Sequence, residues 1–310
     1  MAKLNLQAFV ETKYTYERAL RLNEAVSDCD IILMAGGSGA GKDGFLDWWW
    51  QHGASRKELP EDCRIISTDI VYINLAPAPS KSVPMTCVTF SMIWDALCAI
   101  ERAVEGGDLA RPRGRTRSWH TEGQFLTLFH DNVLPMVTKY VQPRAIVVGD
   151  AQFLDESALL WLLKLRTFAE FGRPRLARHA LMLCARVEPD EVESSKFATL
   201  MNQVSDTRTA WPKKLLLSPM SNDEFGLIIA TLVRRNLNAI FGSDVNAKSA
   251  TIEFGTWTAK DWRLLVELVK VLDKALGPDK ASGEPRILTQ AVMERVRELW
   301  LKRSNPAIIE

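Results

Sequence analysis

The sequence predicts an α/β protein: a parallel sheet covered by helices on both faces, followed by a module made mostly of helices. Three observations predict it. Short apolar runs (IILMA at 31–35, AIVVG at 145–149, HALMLCA at 179–185) are separated by helix-length segments, as in a parallel sheet. The first of these runs stops at a glycine cluster that opens a helix. From about Ser221 onward the apolar residues recur at helical spacing instead.

Taken in order, residues 1–28 read as a helical lead-in, with Leu6, Phe9, Val10 and Tyr14 at roughly helical spacing. IILMA suits a buried strand feeding a loop, and KDGFLDWWWQHG has the length of a helix with a glycine stop. The WWW at 48–50 suits the core or a subunit contact. CRIISTDIVYINLAPAPSKS holds strand-like material and then a Pro-rich turn, and VTFSMIWDALCAIERAVEGG follows as an amphipathic helix. RAIVVGDAQFL is an apolar strand ending in a polar cluster, ALLWLLKLRTFAEFG a helix closed by Gly172, and HALMLCA a further strand. The segments SNDEFGLIIATLVRRNLNAIFG, TAKDWRLLVELVKVLDKALG and RILTQAVMERVRELWLKR all read as helices. The boundaries expected are a lead-in at 1–28, an α/β core at 29–217 and a helical lid at 218–310.

Bulk properties narrow the class. With 310 residues, 25% charged and 47% hydrophobic, the chain is an ordinary globular one. A net charge of +1 excludes a global field that draws in nucleic acid, so such binding needs a local patch. The five cysteines form no C-x-x-C pair and read as reduced thiols of a cytoplasmic protein. The N-terminal stretch is broken by charges and reads as no signal peptide, and no apolar run reaches membrane-spanning length.

The chemistry concentrates in GGSGAGKD. Gly36, Gly37, Ser38, Gly39, Ala40 and Gly41 are small residues whose backbone N–H groups can converge on an anion, and Lys42 can reach outer phosphates as a point charge. The pattern G-x-x-x-x-G-K is completed not by Ser or Thr, the usual Mg²⁺ ligand, but by Asp43. The strand AIVVGD supplies the second half of such a site. Its end, Gly149-Asp150, lacks one of the two acids expected there, so Asp150 takes the place of the water-activating group. Two readings stay open. Asp43 provides the carboxylate that position 149 lacks, keeping a Mg²⁺ site with Asp43 and Asp150 as metal-side acids, or the site is a weakened one. The most concentrated basic stretch, RPRGRTRSWH, sets Arg111, Arg113, Arg115 and Arg117 on alternate residues. A loop of this kind can lie along a phosphate backbone without reading sequence, or can act as a solvated basic loop.

The order of these segments resembles the AAA+ ATPases of DNA transposition: TniB, TnsC and, more distantly, the B protein of Mu-like phages. The residues carrying the resemblance are GGSGAGKD, VYINLAPAPSK, IVVGDAQFL, LMNQVSDTRTAWPKKLLLSPMSNDEF and TAKDWRLLVELV. It implies an AAA+ P-loop core with a C-terminal helical lid that binds ATP and Mg²⁺. It also implies Arg208 as an arginine finger reaching a neighbouring subunit's nucleotide, and Arg263 as the lid's sensor. Cys184 or Arg186 then stands where such proteins carry a first sensor. The implied partners are double-stranded DNA, a transposase and further copies of the chain in a ring or helical filament. The implied role is an ATP-dependent, non-sequence-specific DNA-binding regulator of DNA transposition, with slow hydrolysis. A small-molecule P-loop kinase and a hydrolysis-deficient assembly module are the alternatives; Gly44, where a kinase loop would carry a hydroxyl, counts against the first.

Overall fold

Strand β1 (Ile31–Gly36) is buried along its whole length, and its neighbours explain why. In the computed structural model it lies between two parallel partners, β4 (Ala180–Arg186) and β5 (Lys213–Leu216). β3 (Ala145–Gly149) pairs with the far side of β4, and β2 (Ile70–Asn74) closes the row. The five strands run in the order β2-β3-β4-β1-β5 and every pairing is parallel. A sheet of this kind needs cover on both faces, which is why its strands read as continuous apolar runs without alternation.

The register divides the side chains by face. Ile31, Leu33 and Ala35 of β1, with Val71, Ile73, Ile146, Val148, Leu181 and Leu183, form one cluster with α3 (Met85–Val104) and α4 (Glu156–Arg166). On the other face Trp50 of α2 (Lys42–Gln51) meets Tyr72 edge-on, and Leu22 and Ala25 of α1 (Lys13–Ser27) line a cavity with Ile32. All three residues of the tryptophan triplet are buried, so they serve the core. One polar node ties this face together. The buried Asn23 donates to the carbonyls of Ala54 (2.8 Å) and Cys63 (2.9 Å) and accepts from Trp49 Nε1 (2.8 Å).

The structure describes residues 10–57, 59–77, 84–104, 143–166, 179–188, 191, 213–217, 220–278 and 284–304. The chain divides into two compact units. One holds Tyr16–Ser38 and Lys42–Leu217; the other holds Met1–Thr15, Gly39–Gly41 and Ser218–Glu310.

In the second unit α5 (Asn222–Asn236) starts at Ser221, whose hydroxyl accepts from Glu224 N (3.1 Å), and carries Asp223 and Glu224 in its first turn. Helix α6 (Ala247–Thr258) is capped by Asn246, and α7 (Trp262–Leu276) by Asp261, which accepts from Arg263 N and Leu264 N. Helix α8 (Gln290–Ser304) follows. The helical expectation needs correcting at three places. AIF and RIL, read above as parts of helices, form the parallel pair β6 (Ala239–Phe241) and β7 (Arg286–Leu288). Asn238 at φ 43° breaks the helical path after α5, and β7 alternates buried, exposed, buried, the two-residue period of a strand. The TAKD stretch is likewise no helix start: Ala259 and Lys260 both have positive φ and separate α6 from α7.

Arg286 holds this pair to its unit. It is buried and donates to Leu237 O from Nε (3.0 Å) and Nη2 (2.6 Å), to Gly277 O (2.6 Å) and to Asp273 Oδ1 (3.0 Å).

Candidate functional site

Because every strand of the large sheet is parallel, the carboxyl ends of β1, β2, β3 and β4 share one edge. Gly36 is the register partner of Arg186, and Asn74 that of Gly149. Open parallel sheets bind ligands off this edge. Beyond Gly36 the chain turns into α2, with Gly39 at φ 80° and Gly41 at φ 82°. A side chain would strain both positions, whereas glycine adopts them freely. Gly37 faces a second constraint: a Cβ there would collide with the Glu188 carboxylate.

Lys42 opens α2 and folds back on the loop. Its Nζ donates to Gly36 O (2.6 Å) and Gly37 O (2.9 Å). Burial lowers its pKa from the ordinary 10.5; the charges of Asp43 and Asp150 resist that shift and the Arg186 cation adds to it. Asp43 sits exposed in the first turn of α2, where a negative charge suits the helix N-terminus. Lys42 thus lies near enough to both carboxylates to feel their charge. Cys184 on β4, close enough to feel these charges, is wholly buried, and burial together with the Asp43 charge pushes its thiol pKa far up. It is an inert packing residue.

Asp150 adopts a left-handed conformation, φ 51° and ψ 41°, which costs a non-glycine residue energy and which Asp tolerates better than most. Its Oδ1 accepts from Gln152 Nε2 (2.8 Å), and Gln152 Oε1 accepts from Arg186 N (3.0 Å). The carboxylate is held in place from the end of β4. Beside it, Gly149 has a packing reason to lack a side chain: a Cβ there would overlap the carboxamide oxygen of Asn74 on β2. That oxygen is buried and has no hydrogen-bond partner among the described residues.

Arg263 stands in the other unit, at the start of α7. Its guanidinium is largely exposed and pairs with Asp261 Oδ2 at 3.0 Å. Arg208 and the basic loop residues Arg111, Arg113, Arg115 and Arg117 lie outside the described residues. Sequence reasoning missed Asn74, Gln152 and Glu188. Asn74 carried a legible signal, since it ends the apolar run IVYI as Asp150 ends the run AIVVG. Glu188 carried none, because only the three-dimensional course of the chain sets it against Gly37.

Among the described residues no group of three or more His, Cys, Asp or Glu side chains is set to hold a metal. Two carboxylates beside a lysine and a loop of backbone N–H groups instead fit a Mg²⁺–nucleotide complex. That ion takes one or two carboxylates, completing its shell with phosphate oxygens and water. No helix among the described residues is long and apolar enough to cross a membrane.

No family model matches the sequence, and no curated protein matches it. Solved structures do. The chain is similar to the Aeropyrum pernix ORC1 protein in complex with DNA (TM-score 0.50, 14% identity, covering 98% of this chain and 69% of that one). It is also similar to Drosophila ORC bound to DNA (TM-score 0.53, 13% identity, covering 99% of this chain and 65% of that one). The chain thus spans about two thirds of the length of these structures. At such identities the likeness is one of fold alone, and it agrees with the α/β architecture, a parallel sheet flanked by helices, expected from the sequence.

Proposed function

We propose that this protein is an ATP-dependent DNA-binding protein that assembles side by side on duplex DNA and presents that DNA to a transposase. The observation that carries the nucleotide part is the edge formed by Lys42, Asp43 and Asp150, where a lysine rests on two loop carbonyls with two carboxylates close by. Both similar structures hold DNA, which supports the DNA part in general terms. The step to transposition rests on the motif resemblance.

In this reading Lys42 leaves Gly36 O and Gly37 O for the outer phosphates of ATP, and the glycine loop supplies backbone N–H donors. Asp43 and Asp150 would hold the Mg²⁺, which would supply charge neutralisation on the phosphates. Asp150, fixed by Gln152, also orients the attacking water. Arg208 from a neighbouring copy stabilises charge on the transferring phosphoryl group, and Arg263 reports the nucleotide state to the helical unit. Arg111, Arg113, Arg115 and Arg117 track the DNA backbone. ATP acts as a switch for assembly, with hydrolysis slow because Gly149 brings no carboxylate.

The glycine at 149 also favours a second reading, an assembly module that does not hydrolyse ATP. Electron microscopy of the protein with duplex DNA, with and without ATP, separates the possibilities. Filaments or rings that need ATP are the expected result. Assemblies indifferent to ATP favour the second reading, and monomers under both conditions overturn both. Replacing Arg113 and Arg115 by Ala should lower DNA affinity on all sequences and reduce the salt slope by about two. An unchanged slope removes the basic loop from the interface.

A further inference from the structure

At the end of β3 the side chain that the strand lacks is replaced in space by one from the neighbouring strand. Asn74 and Gly149 are register partners in the parallel pair β2–β3. The backbone between them is satisfied, with Leu75 N donating to Gly149 O at 2.9 Å. What is left open is the Asn74 carboxamide. Its oxygen would overlap a Cβ on residue 149, so Gly149 is what makes room for it. That oxygen is buried, and none of the described residues donates to it. A buried acceptor left unmade costs about 1–3 kcal/mol, so a core position of this kind is ordinarily apolar or paired. Asn23, on the same unit, shows the paired case. Asn74 instead ends its strand on the ligand-binding edge, next to Gly149 and Asp150, with a strong acceptor that meets no donor among the described residues.

We infer that Asn74 stands in for the acid that β3 lacks, its carboxamide oxygen accepting from the hydration shell of the cation that accompanies the bound nucleotide. Asn74 is a positioning residue in this role: it acts on the cation through water and touches no reacting atom. The inference rests on the nucleotide-binding reading and deepens it, because it assigns the missing acceptor to β2. A carboxamide supplies the acceptor without a third negative charge at an edge that must also admit a polyphosphate. Asp43 and Asp150 remain the charged groups.

The test measures binding of a fluorescent ATP analogue in EDTA and in Mg²⁺, with thermal melting as a check of folding. Wild type is expected to bind in both conditions, and more tightly with Mg²⁺. Asn74→Ala should keep the EDTA affinity and lose about tenfold in the Mg²⁺-dependent gain, the usual cost of an outer-shell partner. Asn74→Asp, of the same shape, should keep the gain or enlarge it. The double variant Asn74→Gly with Gly149→Asp returns a carboxylate to β3 and clears the space it needs, so it should recover the gain that Asn74→Ala loses. An Asn74→Ala protein that melts like wild type and keeps its full Mg²⁺-dependent gain overturns the inference while leaving nucleotide binding intact. If Asn74→Ala does not fold, failure of the double variant to show the gain overturns it. Wild type that binds the analogue in neither condition overturns the nucleotide reading, and this inference with it.

Discussion

Asn23 and Asn74 belong to the same α/β unit and present the same carboxamide in opposite circumstances. Asn23 lies in the hub where α1, α2 and the following loops meet, and its bonds to Ala54 O, Cys63 O and Trp49 Nε1 engage both ends of the amide. Asn74 lies on the strand-end edge with its oxygen buried and unpartnered among the described residues. A buried amide with every bond made fixes one arrangement of the chain, because every alternative arrangement leaves polar groups dry. One with an open acceptor stabilises nothing until a donor arrives. The contrast separates polar groups that hold this protein together from polar groups kept for a ligand.

The largest expected effect breaks the contrast at the hub. Asn23→Ala strands the buried Trp49 N–H and removes a donor from the carbonyls of Ala54, which keeps its bond from Ile65 N, and of Cys63; it should cost about 3 kcal/mol of stability, read by urea denaturation. A loss under about 1 kcal/mol would mean that the hub relaxes or admits water, and that full pairing there is not what matters. The helical unit holds a second group of the first kind. Arg286→Lys keeps the charge but gives up the fork that reaches Leu237 O, Gly277 O and Asp273 together, and about 2 kcal/mol should be lost. A lysine variant as stable as wild type would show that charge alone suffices.

How much of this was legible in the sequence follows the same division. The strands were legible because a parallel sheet buried on both faces leaves unbroken apolar runs, and the loop because Gly39 and Gly41 must adopt positive φ. The pair β6–β7 was not, since three-residue strands such as AIF and RIL are too short for a two-residue period to stand out from a helix. At the site, Lys42, Asp43 and Asp150 announced themselves by type and spacing. The clash that requires Gly149 did not, because it depends on which strand lies next to β3. The sequence order β1, β2, β3 does not reveal the spatial order β2-β3-β4-β1-β5. The missing acid was therefore visible from sequence, but the residue filling its place was not.

A smaller effect is expected at the start of α7, where a polar group has partners but sits closer to water. Burial alone would raise the Asp261 carboxyl, yet the Arg263 side chain and the backbone N–H groups of Arg263 and Leu264 outweigh it and hold its pKa below the ordinary 3.8. The folded state therefore favours the ionised form. The cap's contribution is complete above pH 3.8 and fades as pH falls through the lowered value. Asp261→Ala should cost about 1 kcal/mol at neutral pH, the usual worth of an N-cap, and the gap from wild type should close only in that acid range. A gap that closes near neutral pH would point to a different group.

The smallest expected effect on stability is at Asn74 itself, and it sharpens the opening contrast most. In the ligand-free protein Asn74→Ala removes an acceptor that has no donor, so the relief of an unmet hydrogen bond offsets the small loss of packing. The two terms are similar in size, and stability should stay within about 0.5 kcal/mol of wild type. Asn23→Ala, the same chemical change in the same unit, is expected to cost several times more. Adding the nucleotide with Mg²⁺ should then reopen a difference, because the ligand stabilises wild type in proportion to its tighter binding. Equal losses at both asparagines without ligand would mean that Asn74 is paired in solution and holds the strand end together, as Asn23 holds the hub. A difference that appears only with the nucleotide and Mg²⁺ is what an acceptor kept open for a ligand requires.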